Sequence, residues 1–446
     1  MPAPTLTRKA PAAGMKTVAF HTIGCKLNQY ETNDLERQFS DRGWTAVAFG
    51  EPADVVVVNT CTVTGRSDAR CRAALRRARR ECPGATVIAA GCLAQAQPGS
   101  VAGMEAVDLV LGNRDKGAIF DYLDEEGRPR AGRVAAAGLA AAAPPAFKPL
   151  RAFSGHTRAF VKIQEGCDAR CSYCIVPQAR GPNRSLPARD VLAQVATLAG
   201  AGYREVVLTG VHLGTWGRDL EPPETLAGLL ARLVATPGLE RLRLSSIEPT
   251  EFTPELLELL ASSPSICPHL HIPLQSGSAA VLRAMRRPYG PETFAALVRR
   301  LAETLPEPGI GADVIAGFPG ERERDFEESV ELIRSLPLTY LHVFPYSRRP
   351  GTPAAAMPGQ VPPPERERRA AVLRDLGRGK AHAFRERHLG RTVRTLIQGQ
   401  PRGTTHGLSG NYLTVAVNAG SDDIGSVRDV RVTRHQGGKL HGELVG

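Results

Sequence analysis

The sequence predicts an α/β multidomain protein: a doubly wound parallel α/β domain first, a partial (β/α) barrel in the centre, and a small all-β barrel at the end. Three observations predict it. Short β-branched runs alternate with helical stretches twice, over about 115 residues and then over about 220. An Ala-, Pro- and Gly-rich stretch, residues 129–150, separates the two series. The last stretch, residues 385–446, carries strand-like runs divided by glycine-containing turns and no helical period.

Composition fits this layout. The chain has 446 residues, 42% hydrophobic and 23% charged, ordinary values for a globular protein of several domains. Lys and Arg number 56 against 45 Asp and Glu, a net charge of +11 that favours an anionic partner such as nucleic acid. No apolar run approaches the ~20 residues that span a bilayer, so no membrane partner is expected. Residues 1–15, Pro/Ala-rich with Arg8 and Lys9, lack the apolar core of a secretory signal and read as a disordered extension, with Met15 as an alternative start. Without an export signal, the nine cysteines read as thiols or metal ligands rather than disulfides, and a cytoplasmic location is expected.

In the first domain, residues 16–128, Thr17–Thr22 reads as a strand and Glu31–Arg42 as a helix. Val55–Val58 has the continuous β-branched look of a strand buried on both faces. Arg66–Arg80 reads as a helix, and Ala85–Ala90 and Val107–Leu111 as strands. Open parallel sheets bind ligands beyond the carboxyl ends of their strands. Three cysteines sit there: Cys25 after the first strand, Cys61 after the valine run, Cys92 after the next. They could form a three-thiolate site. Cys71 and Cys82 lie on or just after the intervening helix with no partner spacing, and read as ordinary helix residues. That helix carries Arg66, Arg70, Arg72, Arg76, Arg77, Arg79 and Arg80, which read as a solvated basic face or as a phosphate-contacting one.

In the central domain, residues 151–380, the strands read as Arg158–Ile163, Glu205–Thr209, Arg241–Ser245, His269–Ile272, Gly311–Ala316 and Tyr340–Phe344. Helices read as Ala188–Gly200, Pro223–Ala235, Pro254–Ser262 and Pro291–Leu305. Just after the first strand, on the face where such barrels build their sites, comes Gly166-Cys167-Asp168-Ala169-Arg170-Cys171-Ser172-Tyr173-Cys174. Structural zinc usually takes four protein ligands, and a fully capped iron–sulfur cubane also needs four. Cys167, Cys171 and Cys174 on a [4Fe–4S] cluster would leave one iron open to a substrate or cofactor. Spacing alone leaves open a zinc site completed from elsewhere and an incidental cluster. Cys267 reads as a barrel residue. Glu365–Leu389 is a charged helix. The terminal strands read as Val393–Ile397, Leu413–Val417 and Val427–Thr433, in a segment holding nine Lys and Arg against five Asp and Glu. Small β-barrels of this size commonly bind oligonucleotides; a merely structural cap is the alternative.

The C-x3-C-x2-C motif, with Tyr173 before its last cysteine, resembles the radical S-adenosylmethionine (SAM) signature. Cys25, Cys61 and Cys92, in GCKLN, NTCTVT and GCLAQ contexts, resemble the N-terminal trio of the methylthiotransferases, and the terminal barrel resembles their TRAM domain. The likeness spans residues 16–446 in the same order. Within that family, GCKLNQYE, NTCTVT, TGVHLGTWG and LSSIEPTEF look most like the branch that methylthiolates N6-threonylcarbamoyladenosine in tRNA, at position 37 beside the anticodon. The isopentenyladenosine branch is the alternative, and an RNA-binding protein with structural metal is the alternative of another class. The resemblance implies two [4Fe–4S] clusters, on Cys167, Cys171 and Cys174 and on Cys25, Cys61 and Cys92. It also implies SAM, bound in a pocket for which Gly210, Glu248, Gln275 and Gly317 at strand ends are the candidates. The tRNA anticodon loop, an electron donor such as flavodoxin or ferredoxin and a sulfur source are the implied partners. Both open irons must reach one cavity, so the first domain is expected to pack over the barrel's C-terminal mouth.

Overall fold

Valines that alternate sides organise the first sheet. Val55 and Val57 join Leu35 and Phe39 in one layer, while Val56 and Val58 join Cys71 and Leu75 in the other. A strand buried on both faces needs helices on both faces, and the computed structural model has them. It describes residues 14–130, 132–136, 138–139, 149–153, 156–399 and 405–445. The expected extension up to residue 13, and residues 140–148 of the expected linker, lie outside the described residues.

Strands β1 (Thr17–Thr22), β2 (Thr45–Val47), β3 (Val55–Thr60), β4 (Thr86–Gly91), β5 (Leu109–Leu111) and β6 (Val134–Ala135) form one parallel sheet in the order β2-β1-β3-β4-β5-β6. The helices include α1 (Lys26–Ser40), α2 (Gly65–Glu81), α3 (Cys92–Ala96) and α4 (Pro98–Ala102). The chain leaves β1 in one direction to β2 and then crosses to β3 on the other side. The topological switch point therefore lies between β1 and β3, where such sheets open a ligand crevice. Helix α1 begins at Lys26 rather than at the predicted Glu31. Its first turn buries polar Asn28, whose Nδ2 donates to Ile23 O (2.7 Å) and Thr60 O (3.0 Å), so no apolar period announces the start.

The central region has β7 (Ala159–Lys162), β8 (Gln164–Glu165), β9 (Arg184–Ser185), β10 (Glu205–Thr209), β11 (Arg241–Leu244), β12 (His269–His271), β13 (Gly309–Ala316) and β14 (Tyr340–Pro345). Two parallel three-stranded sheets, β11-β10-β7 and β12-β13-β14, meet through a Leu242–Ile266 bridge, which makes the partial barrel. Helices Ala279–Ala284 and Glu323–Ser335 were not anticipated. The second carries five acidic residues between its few buried ones, Phe326 and Ile333 among them, so its apolar stripe is thin. Leu270, Ile310, Ala312 and Val314 pack into the helical layer. By strand alternation His269, His271, Asp313 and Tyr340 face the other side, the concave face of the arc.

The long helix Pro363–Glu386 leads to β15 (Thr392–Gly399), β16 (Thr405–Ser409), β17 (Thr414–Val417), β18 (Val427–Gln436) and β19 (Lys439–Leu444). They close into a five-stranded barrel in the order β15-β16-β17-β19-β18. Strands β16 and β19 escaped the sequence reading because Gly407 and Gly442 interrupt their alternation. Gly442 has no room for a side chain: a Cβ there would lie 2.6 Å from Val430 Cγ1. Buried Arg243, paired with Glu205 at 2.8 Å, donates to Ser409 O (3.0 Å) and Gly410 O (2.8 Å). This fixes the terminal barrel to the start of the central strands.

Candidate metal centres

The first trio sits at the switch point. Cys25 is the N-cap of α1, Cys61 follows β3, and Cys92 opens α3. The two strand ends meet closely: a Cβ on Gly24 would lie 3.0 Å from Cys61 Cβ, and Gly24 holds φ +130°, so only glycine fits. Burial pushes the Cys61 thiol up, with Cys92 and Cys25 adding to the effect. The three sulfurs are thus within electrostatic reach of one another. Cys71, buried behind them, accepts from Cys61 N (3.3 Å) and donates to Cys61 O (3.4 Å). Its thiol supports the loop that carries Cys61, a role its sequence spacing did not reveal.

The second trio is held by a small antiparallel clasp. β8 and β9 pair on either side of the cysteine loop, and Cys167 N donates to Gly181 O at 3.0 Å. Gly166 enters the loop with φ +73°, and a Cβ there would sit 1.8 Å from Pro182 O. Ser172 anchors the middle: its Oγ donates to Ala284 O (2.7 Å) and its carbonyl accepts from Ala354 N (2.8 Å). Burial pushes the Cys174 thiol up to about 12, with Cys171 and Cys167 adding to it. In each trio one buried thiol, Cys61 and Cys174, therefore resists ionising, a penalty that a cationic centre would remove on binding it as a thiolate.

Donors surround the sulfurs. Arg287 Nη1 donates to Cys171 Sγ at 3.1 Å and forms an ion pair with Glu248. His212 Nδ1 lies 3.4 Å from Cys167 Sγ, and its Nε2 lies 2.8 Å from Glu251 Oε1. Burial opposes ionisation of His212, but Cys167 and Glu251 push it up to about 10. Asn113 Nδ2 donates to Cys92 Sγ at 3.3 Å. N–H groups aimed at sulfur are the outer contacts that orient and tune sulfur ligands.

The two trios are joined. Helix α5 (Val176–Arg180) directly follows Cys174 and packs on α3, which carries Cys92. Asn113 Nδ2 also donates to Ala179 O (2.7 Å), so one amide reaches both sites. Arg180 continues the link, donating to Asn28 Oδ1 (2.7 Å), Glu31 (2.9 and 3.1 Å) and Glu165 (3.0 Å). Glu31 also accepts from Lys116 (2.5 Å) and Lys162 (3.2 Å). Burial would raise the Glu31 carboxyl, but the charges of Arg180, Lys116 and Lys162 hold it well below the usual carboxylate range. On the far side of the arc, Arg349 bonds Thr62 Oγ1 (3.0 Å) and pairs with Asp68, and Ser347 Oγ accepts from Gly65 N (2.9 Å). The first domain thus rests on segments that follow β7 and β14, at the C-terminal ends of the strands.

The four candidate pocket residues divide. Glu248 reaches the cysteine loop through Arg287. Gly210 lies against Gln164, with room for no side chain: a Cβ would lie 2.8 Å from Gln164 Oε1, and Gln164 in turn bonds Gly166 O at 2.7 Å. Gln275 and Gly317 belong to the second sheet. Gln275 has φ 66°, and its backbone N–H donates to Asp313 O (2.8 Å). Gly317 donates to Glu321 Oε1 (3.0 Å) and packs so closely on Arg366 that a Cβ would lie 2.2 Å from its Cγ. Sequence reading missed the concave-face group: His271 Nε2 lies 2.9 Å from Asp313 Oδ1, His342 Nδ1 lies 3.4 Å from it, and His271 Nδ1 meets Tyr340 OH at 3.0 Å. The signal was present as polar residues at every second position of two apolar strands.

On α2, Arg72 bonds Gln97 and Ser100, Arg77 pairs with Glu81 at 2.8 Å, and Arg79 pairs with Asp108. Arg66, Arg70, Arg76 and Arg80 are exposed.

Comparison with known proteins agrees with this architecture. Residues 17–112 match the family model described as "Uncharacterized protein family UPF0004", and residues 161–333 match the Radical SAM superfamily. The chain is 38% identical over 426 residues, 94% of each chain, to the threonylcarbamoyladenosine tRNA methylthiotransferase MtaB of Bacillus subtilis. It is 39% identical to that of Aquifex aeolicus, over 89% of this chain and 96% of the relative. A tRNA-2-methylthio-N(6)-dimethylallyladenosine synthase of Acidothermus cellulolyticus is 36% identical over 90% of this chain and 82% of its own. Among solved structures, the radical SAM methyltransferase TsrM of Kitasatospora setae superposes with a TM-score of 0.55 at 17% identity, covering 76% of this chain and 77% of its own, a likeness of fold. The chain therefore belongs to the radical SAM methylthiotransferase family, transferases that work with a [4Fe–4S] cluster and SAM.

Proposed function

We propose that this protein methylthiolates C2 of N6-threonylcarbamoyladenosine at position 37 of tRNA. Two [4Fe–4S] clusters would serve, one on Cys167, Cys171 and Cys174 and one on Cys25, Cys61 and Cys92. The observation that supports the reading is the hydrogen-bonded path from Cys92 through Asn113 to the helix that follows Cys174. Two three-thiolate sites linked in this way would stand against each other, as sulfur insertion at an unactivated carbon requires. The relatives named for threonylcarbamoyladenosine favour this base over the dimethylallyl one.

When bound, the clusters and SAM supply the carbon-centred radical and the sulfur, chemistry that no side chain provides. The chain's own residues hold and orient. Each trio offers three thiolates and leaves one coordination position for a non-protein ligand. Arg287, His212 and Asn113 direct N–H groups at Cys171, Cys167 and Cys92 and fix their sulfurs. The ion-pair network around Glu31 holds the two domains in register. Glu248, Gly210, Gln275 and Gly317 would line the SAM pocket. His271, Asp313 and His342 give the concave face hydrogen-bonding groups for a polar substrate base. A base in an anticodon loop is already partly unstacked, so drawing it in costs less than the few kcal/mol needed in a duplex. The exposed arginines of α2 and the basic terminal barrel would grip phosphates, with affinity that falls steeply with salt. A flavodoxin- or ferredoxin-like donor, a sulfur source and a cytoplasmic setting complete the proposal.

The test is nucleoside mass spectrometry. Reconstituted protein, reductant, SAM and sulfide are incubated with tRNA carrying threonylcarbamoyladenosine and, separately, tRNA carrying isopentenyladenosine. The methylthio product is expected from the first and not from the second. Product from the second alone would transfer the proposal to the other base.

A further inference from the structure

A second group of metal-ligand side chains lies far along the chain from every cysteine of the two trios. On the last turns of the helix Pro363–Glu386, His382 and Glu386 stand four residues apart and share one face. β18 of the terminal barrel places His435 against them. One donor atom of each of the three lies within 4.8 Å of the other two. The His382 and His435 rings lie 4.9 Å apart between centroids, and His435 Nδ1 pairs with Glu386 Oε1. The His435 side chain is only 4% exposed, yet its Nε2 is buried with no hydrogen-bond partner. Folded proteins rarely keep such a nitrogen without a protein, water or metal partner.

We propose that His382, Glu386 and His435 bind one divalent cation of the zinc class, which fastens the terminal barrel to the connecting helix. Zinc holds nitrogen and oxygen ligands at about 2.0–2.2 Å in a tetrahedron, which sets the ligand atoms about 3.4 Å from each other. Small side-chain rotations within the observed 4.8 Å reach that spacing. Two imidazoles and one carboxylate suit zinc better than magnesium or calcium, which take oxygen, and better than centres built on thiolates. Water completes the fourth position. Because the ligands come from both the helix and the barrel, only the docked state offers the full set, and the ion stabilises docking by mass action.

The experiment uses full-length protein with its iron–sulfur centres reconstituted. The protein is loaded with Zn²⁺, dialysed against a weak chelator, and assayed for zinc and iron. Wild type is expected to retain about one zinc per chain at this site. His382→Ala, at an exposed position, is expected to bind it at least tenfold more weakly with iron unchanged. Zn²⁺ should raise the Tm of wild type and leave that of His382→Ala where it was. Equal zinc retention in both proteins, or none in wild type, overturns the proposal.

Discussion

Cys171→Ala abolishes SAM cleavage, whereas Cys61→Ala abolishes sulfur insertion and leaves measurable cleavage. This is the expected result if the two trios hold separate centres. Cys171 lies in the loop clasped by β8 and β9, where Arg287 contacts its sulfur. Removing it takes away one of three thiolates from the site where SAM would bind, and no other cysteine contacts that loop among the described residues. Cys61 lies across the domain boundary, supported by Cys71. Its loss leaves the Cys167–Cys174 loop and its anchors through Ser172 in place. Deoxyadenosine is measured by chromatography and methylthio nucleoside by mass spectrometry in the same reaction. Loss of at least a thousandfold in product is expected for both variants, with deoxyadenosine lost only in the first. Retained deoxyadenosine in Cys171→Ala would remove it from the ligand set.

Glu31→Gln is expected to cost about 3–5 kcal/mol of stability, the usual consequence of taking one partner from a buried charge network. Lys116 and Arg180 are 4% and 3% exposed, so the charges left behind cannot turn to water. Denaturant unfolding measures the loss. The same contribution depends on pH. Glu31 ionises well below its ordinary value of 4.5, so its stabilisation is complete above that value and disappears as pH falls through the lower folded value. The wild-type advantage over Glu31→Gln should therefore be largest near neutral pH and shrink in acid. An equal advantage at pH 7 and at pH 3 would contradict the assignment.

Much of this was legible in the sequence because it is local. The valine run 55–58 announces a strand buried on both sides, and the cysteines that follow β1, β3 and β4 stand where a parallel sheet exposes its ligand end. The C-x3-C-x2-C spacing is local too. What escaped is contact across long separations. Arg180 and Glu31 are 149 residues apart, and Asn113 and Ala179 are 66 apart. Nothing in a one-dimensional pattern distinguishes a buried arginine with three partners from a solvated one. The arginine-rich helix shows the reverse: among seven similar side chains, Arg72 and Arg79 find their partners only once α4 and the start of β5 are in place. The concave-face histidines were visible as an alternation but looked like interruptions of apolar strands.

Iron and sulfide content decides whether the chain carries two clusters. About eight irons and eight sulfides per reconstituted chain are expected, the content of two [4Fe–4S] clusters. The triple variant Cys25→Ala, Cys61→Ala, Cys92→Ala should hold about half of that and still cleave SAM. A wild-type chain with only four irons, or a triple variant that loses none, would contradict the two-cluster assignment.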